Sequence, residues 1–402
     1  MKLVAAASAA MLAGMLAGCA TIDGLIAYHQ LGCELSTAKQ VPPGRLDVVG
    51  NVPVLHVYGT PAEMGKQYGT VLGRALRAES RCIHDFLPGR AVNGFLTYAN
   101  AHEVDLPAEV REELKAMSEA SGVKYEELVA LNIVPKVACS ALAVWDPAHD
   151  STPATTPAAP VTQPTGGLIM GRNADYYSFG FKDRGSLLVV RHPPAESGKQ
   201  AIVCVSFLGM VGGFTGMNEK GVAFANMLVF NGPPGAMAGP GTGAVTIQLA
   251  MRIAAEKSAT VDDMAKTLQG QTHLIPMLVM LADERRAEVL ELGPDGSRER
   301  TSDNGILAAS NYFRTEMALK PVDCPRFASL MESAAHAAAE HGKPEMSLAE
   351  MEAAVRKAAI MPLSLQAIIL EPQARRMHVS INRSPAAAGP YTTFDLRELM
   401  SK

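Results

Sequence analysis

A surplus of positive charge, an abundance of aromatic rings and paired cysteines are all missing from this 402-residue chain. Lys and Arg number 36 against 40 Asp and Glu, a formal net charge of −4. There is thus no basic excess to neutralise a phosphate backbone, and nucleic acid is not an expected partner. Aromatic residues make up 5% of the chain, with a single Trp, too few for surfaces that stack bases or sugars. The six cysteines (Cys19, Cys33, Cys82, Cys139, Cys204, Cys324) never form a CxxC pair. Zinc-ribbon spacing is therefore lacking, and no metal or organic cofactor is expected. Nor does any segment repeat at a fixed period. What is present is apolar: 48% hydrophobic against 19% charged residues, enough for a large buried core in one large domain or two, and unlike a disordered chain.

Met1 and Lys2 lead into an uncharged Ala/Leu/Met run up to Gly18, a positive n-region and an apolar h-region that predict a signal peptide rather than a stable membrane span. The run ends Leu16-Ala17-Gly18-Cys19, which resembles the lipobox of bacterial lipoproteins. That resemblance implies lipidation of Cys19 as the mature N-terminus. With Ala20 rather than Asp behind it, it also implies a lipid anchor in the outer membrane of the bacterial envelope, facing the periplasm. Five cysteines then remain in an oxidising compartment, an odd number that leaves a free thiol. Cys33 and Cys82 are candidates for a pair, while Cys204, within Ala201–Phe207, reads equally well as a small buried hydrophobe.

Periodicity organises the rest. Met64, Tyr68, Val71, Leu72 and Leu76 recur at helical spacing between Pro61 and Leu87, and Val110, Leu114 and Met117 do so between Pro107 and Gly122, so the N-terminal third reads as helical. Short β-rich runs follow at Cys139–Trp145, Gly167–Tyr176, Ser186–Arg191, Ala201–Leu208 and Gly221–Phe230. Beyond the Pro/Gly tract Asn231–Gly243, helices are predicted over Val245–Glu256 and from Thr260, whose capping partner is Asp263. Strands resume at Ile275–Leu281 and Ala287–Leu292. Helices return at Arg326–Glu340 and from the Ser347–Glu350 capping box, and strands close the chain at Leu365–Leu370 and Met377–Ile381. The alternation predicts an α+β fold with two antiparallel sheets covered by helices on both outer faces. A Pro/Thr/Ala-rich insert, Asp146–Thr165, predicts an exposed loop.

Several pieces stand out for chemistry. Cys139 opens a β-run, and the apolar run from Gly167 ends in Arg172, Asn173 and Asp175, charges that are costly at a buried strand end unless they are organised. Gly216–Gly221 (GMNEKG) forms a turn into a strand, and an apolar run from Gly305 ends in Asn311. Together with Gly59–Gly69 (GTPAEMGKQYG), Cys139-Ser140, Gly171–Asp175 (GRNAD), Ser310–Phe313 and Pro325–Phe327, the set resembles the N-terminal-nucleophile cysteine hydrolases. The nearest resemblance is to the acyl-coenzyme A:6-aminopenicillanic acid acyltransferase family, with choloylglycine hydrolases as distant relatives. The fold this implies is a four-layer αββα sandwich.

The resemblance also implies roles. Cleavage between Ala138 and Cys139 would leave Cys139 with a free α-amine, whose ordinary pKa of about 7.7–8.0 suits it to take the thiol proton. Arg172 would lower the thiol pKa, Asp175 would bond the α-amine, Asn311 would donate to the oxyanion, Arg326 would support the site and Asn226 would line the pocket. Residues 1–18 would be the signal peptide, 19–138 a helical pro-segment and 139–402 the catalytic domain, with the processed chains staying associated. The substrate would be a small acylated amide with a non-peptide C–N bond. Hydrolysis is expected over transfer, because coenzyme A belongs to the cytoplasm. Other readings stand beside these: a buried strand cysteine at position 139, an ion pair of Arg172 and Asp175, turn caps at Asn218 and Asn311, a solvated Arg326, and a non-catalytic envelope lipoprotein that uses an uncleaved sandwich as a binding module. Two features depart from the family pattern: Ala138 stands where Gly or Asp is more usual, and the insert after Trp145 is long.

Overall fold

The structure, a computed structural model, describes residues 22–133, 138–148, 167–176, 184–233, 237–294 and 296–401. The stretch read as a signal peptide, Cys19 and all of the insert beyond Ala148 lie outside the described residues.

The chain begins with α1 (Ile22–Leu35), three strands β1 (Lys39–Val41), β2 (Gly44–Val49) and β3 (Val52–Tyr58), and four helices: α2 (Pro61–Phe86), α3 (Gly89–Ala101), α4 (Ala108–Ser121) and α5 (Tyr125–Ile133). Then come β4 (Ala138–Val144), β5 (Ile169–Asp175), β6 (Ser186–His192), β7 (Ile202–Phe207), β8 (Thr215–Asn218) and β9 (Ala223–Leu228). Helices α6 (Ile247–Ala255) and α7 (Val261–Gln269) precede β10 (Met277–Ala282), β11 (Ala287–Gly293), β12 (Gly296–Arg300) and β13 (Ile306–Ala309). After α8 (Pro325–His341) and α9 (Leu348–Ala358), the chain closes with β14 (Ser364–Glu371), β15 (Arg376–Ile381), β16 (Thr392–Asp395) and α10 (Leu396–Met400).

These elements form the expected α+β sandwich. A ten-stranded sheet, in the order β1-β2-β3-β6-β7-β8-β9-β10-β11-β12, faces a six-stranded sheet, β13-β4-β5-β14-β15-β16. The inter-sheet core holds Cys139, Ala141, Met170, Val205, Phe214, Ala225 and Ile368. On the outside of the large sheet, α2, α4 and α5 cover Leu55, Val57, Leu187 and Val189, and α6 and α7 cover Phe224, Val279 and Leu290. Helices α8 and α9 cover Leu142, Ile169 and Ile369 of the small sheet. The central strands thus bury one face between the sheets and the other under helices, while the edge strands β1 and β12 are half-buried or exposed.

Two expectations are corrected. The N-terminal third is not wholly helical: β1–β3 belong to the large sheet, and β3 pairs with β6 in parallel, Val54 opposite Leu188, so the sheets are not purely antiparallel. The run Val52–Tyr58 carries Pro53, which reads poorly as a strand by itself; pairing with β2 and β6 on either side makes it one. Cys33 and Cys82 do not form the disulfide considered for them; the first is exposed and the second buried. Among the described residues, no helix is long and apolar enough to cross a membrane.

The glycines of the Gly59–Gly69 segment have a packing role. A Cβ on Gly65 would lie 2.0 Å from the Glu113 carbonyl oxygen, and one on Gly69 would lie 2.6 Å from that of Met117. One turn apart on α2, they let α4 approach at backbone contact. This closeness carries Glu113 into a buried charge cluster: it accepts from Arg191 of β6 and, at 2.6 Å, from Arg252 of α6. Arg252 also binds Glu256 at 2.8 Å, and Glu256 lies 3.0 Å from Lys199.

Candidate active site

Cys139 is the second residue of β4, directly opposite Ala174 of β5, with Ala141 opposite Arg172. Alternation therefore turns Cys139 and Arg172 to the same inter-sheet face, and both are fully buried. Arg172 Nη2 donates to Cys139 Sγ at 3.2 Å, Nη1 donates to Gln366 Oε1 at 3.3 Å, and the guanidinium lies 5.9 Å from the Phe214 ring centroid. The Cys139 backbone N–H donates to Asn311 Oδ1 at 2.9 Å. The same oxygen accepts from Arg326 Nη1 at 3.0 Å, and Arg326 Nη2 reaches Asp175 Oδ2 at 2.8 Å. Cys139, Arg172, Asp175, Asn311 and Arg326 are therefore one connected constellation, drawn from β4, β5, the turn after β13 and the first turn of α8.

The details refine the sequence expectations. Asn311 Nδ2 donates to Leu228 O at 2.7 Å, so in this uncleaved chain its amide offers an acceptor to Cys139 rather than a donor to a substrate oxygen. Asn226 is not part of the constellation. It pairs with Val279, and that register turns its side chain to the α6–α7 face of the large sheet, where Oδ1 has no partner among the described residues. Asn218 caps its turn, with Oδ1 accepting from the Lys220 and Val222 N–H groups. Sequence reasoning missed Gln366 and Phe214, which touch Arg172 from β14 and from the residue just before β8. The local signal for Gln366 is a polar residue between Leu365 and Ala367 in the otherwise apolar run Leu365–Leu370.

Burial pushes the Cys139 thiol above its ordinary pKa, although Arg172 pulls it down and Asp175 adds to the rise. The expected lowering by Arg172 is present but is outweighed while the thiol sits in an intact strand. Burial also raises the Asp175 carboxyl to about 6, against the pull of Arg326, and Asp175 Oδ1 has no hydrogen-bond partner among the described residues. Between the ordinary carboxyl pKa and about 6, the folded state then binds more protons than the unfolded one, so this group's contribution to stability falls as pH rises through that window. In chains kept uncleaved by Cys139→Ala, the added substitution Asp175→Asn is expected to gain stability relative to its parent from pH 4 to pH 6. Melting curves across that range test this, and a pH-independent offset would show that Asp175 titrates normally.

The chain is similar to several known proteins. The chain is 25% identical over 215 residues to protein dcd1B of Dictyostelium discoideum, covering 46% of this chain and 40% of that protein. It is 23% identical over 289 residues to an uncharacterized protein of Archaeoglobus fulgidus, covering 65% of this chain and 47% of the relative. The alignments thus span under half the length of either curated relative. Among solved structures it is similar to the conjugated bile acid hydrolase from Clostridium perfringens, with 13% identity, a TM-score of 0.45 and coverage of 65% of this chain and 93% of that one. Residues 161–333, less than half of the chain but including Arg172, Asp175, Asn311 and Arg326, match the acyl-coenzyme A:6-aminopenicillanic acid acyl-transferase family.

Proposed function

We propose that this chain is a self-processing cysteine amide hydrolase or acyltransferase whose nucleophile is Cys139. The observation that carries the reading is that Cys139 has a dedicated polar partner on each reacting group, Arg172 on Sγ and Asn311 Oδ1 on the backbone N–H. Any buried strand N–H needs a partner, but a cysteine that merely fills a core needs no guanidinium on its sulfur. In the first step the thiol adds to the Ala138 carbonyl, and the C–N bond to Cys139 breaks to leave a thioester and an α-amine. Water then cleaves the thioester, releasing the Ala138 carboxylate and restoring the thiol. Asn311 Oδ1, already on that nitrogen, accepts from the new α-amine, and the unpartnered Asp175 Oδ1 supplies a further acceptor.

In turnover the α-amine takes the thiol proton and the sulfur attacks the acyl carbonyl of a small amide. The leaving amine departs with a proton, and water, or an acceptor amine in transfer, resolves the acyl-enzyme. The N-terminal piece stays in place, because β3 lies inside the large sheet and Glu113 pairs with Arg191 and Arg252 across the cleavage point. We place the protein at the bacterial envelope, lipid-anchored through Cys19 and facing the periplasm, on its N-terminal sequence.

The test is a panel of N-acyl amino acids, acyl lactones, bile-salt-like conjugates and β-lactams given to purified protein, with mass mapping of Cys139 under turnover. An acyl mass on Cys139 and release of the amine are expected. A single unbroken chain that leaves the whole panel untouched and carries no acyl group would instead favour a binding module. Within the site, Asn311→Ala strands the buried Cys139 N–H and Leu228 carbonyl, at a cost of about 1–3 kcal/mol for a lost buried partner. Turnover is expected to fall roughly 100-fold or more, as when a polar group at a reacting centre is deleted. Melting and active-site-titrated kinetics on one sample check both, and an early-melting variant with normal activity per site would make Asn311 a scaffold residue.

A further inference from the structure

Arg172 is a fully buried guanidinium that makes no ion pair with a carboxylate among the described residues. Its polar contacts are the Cys139 sulfur and the Gln366 side-chain oxygen, and its Nε has no hydrogen-bond partner. Gln366 is itself fully buried in β14, and its Nε2 donates to Ser186 Oγ of the opposite sheet at 3.1 Å. Ser186 is held in turn from both sides of its backbone. Its N–H donates to Asn382 Oδ1 at 3.0 Å, and its carbonyl accepts from Asn382 Nδ2 at 2.9 Å. The amide of Gln366 is thereby oriented with its oxygen toward Arg172, and a run of contacts from Asn382 to the Cys139 sulfur passes through Ser186 of the large sheet.

Buried arginines are normally matched by carboxylates, because an uncompensated charge in a low-dielectric interior is costly. The cluster around Glu113 shows the usual solution in this same molecule. Beside Cys139 the partner is a neutral carboxamide, which holds the guanidinium by a hydrogen bond yet leaves its charge unspent. The group able to balance that charge at closest range is the Cys139 sulfur, once it becomes a thiolate. Asp175 adds a more distant negative charge and Arg326 a positive one, and the two pair with each other.

We infer that Gln366 is a positioning residue of the nucleophile, a neutral tether that aims Arg172 at Cys139 and reserves its positive charge for the thiolate. This inference rests on the proposed role of Cys139 and adds a determinant of its reactivity.

The experiment compares wild type with Gln366→Glu and Gln366→Met, following alkylation of Cys139 by iodoacetamide across pH with residue-level mass mapping, alongside melting curves. A carboxylate at position 366 pairs with Arg172 and spends its charge. Since a nearby charge moves a pKa by about 1–3 units, the alkylation midpoint of Gln366→Glu is expected to rise by about one pH unit or more. Well below the wild-type midpoint, that is roughly a tenfold loss of rate. Gln366→Met keeps the bulk without the charge and is expected to move the midpoint by much less, even where it lowers the melting temperature.

Equal midpoints in wild type and Gln366→Glu overturn the inference, as does an equal rise in both variants, because packing alone would then account for Gln366. Failure of Gln366→Glu to fold counts against it too, since a guanidinium in want of a counterion should accept one. A wild-type protein that is neither cleaved nor alkylated at Cys139 defeats the proposed function itself. Cleaved and reactive wild type with an unshifted Gln366→Glu defeats only the role of Gln366.

Discussion

Cys139→Ala is expected to remain one unbroken chain with no measurable amidase activity, while wild type yields a new N-terminus at Cys139. The sulfur is the only group in the constellation able to add to the Ala138 carbonyl, and the α-amine that would serve as base exists only after that bond is cut. Losing the thiol therefore removes nucleophile and base together, and a group that acts as a unit loses nearly everything when one member goes. Cys139→Ser separates the two steps. A hydroxyl is a far weaker nucleophile at neutral pH than a thiol, so slow cleavage and near-absent turnover are expected. Intact mass and N-terminal sequencing read the first step, and amine release reads the second. A Cys139→Ala chain that still splits after Ala138 would mean that another group, or a protease, makes the cut. A nick between 146 and 165 would be ordinary proteolysis of a Pro/Thr/Ala-rich insert.

The second large effect is on stability, at Glu113. It is fully buried and accepts from both Arg191 and Arg252. Glu113→Ala leaves two buried guanidinium groups short of a counter-charge, and breaking a buried pair in this way costs about 3–5 kcal/mol. Glu256 softens the loss: burial raises its carboxyl, but Arg252, Arg191 and Lys199 outweigh that and hold it at about 2, so it stays charged at neutral pH. The control is Glu316→Ala, whose pair with Arg298 is exposed; such pairs are worth about 0–1 kcal/mol. Thermal melts of the two variants should differ accordingly. Because Glu113 lies before the cleavage point and both arginines after it, cleaved Glu113→Ala should also release its N-terminal piece on gel filtration where wild type does not. Equal melting of both variants, with no release, would show that the sheet pairing of β3 and the packing of α2, α4 and α5 on the large sheet hold the pieces together without Glu113.

Several features needed no structure. The capping boxes at Thr260–Asp263 and Ser347–Glu350 form as written, since every participant lies within four residues. The helical spacing of Met64, Tyr68, Val71, Leu72 and Leu76 likewise announced which face of α2 is buried. The four layers and the grouping of Cys139, Arg172, Asp175, Asn311 and Arg326 were implied by the family resemblance of several short motifs, not by local periodicity. Other features depend on groups distant in sequence, and no local pattern encodes them. Strand β3 is a strand because β6, more than a hundred residues later, pairs with it. Asn226 stands on the wrong face for the site because its register with β10 decides which side of the sheet it takes. The orientation of the Asn311 amide is set by the Leu228 carbonyl on one side and the Cys139 N–H on the other. Gln366 meets Arg172 only because β14 lies beside β5. Local composition and periodicity thus determined most of the elements of this protein, and the resemblance of its motifs pointed to the reacting residues. Which donor faces which acceptor, and where a buried charge is left without its counter-ion, was decided by strand order, register and sheet stacking, because hydrogen bonds and charge pairing act over a few ångströms in space, whatever the separation along the chain.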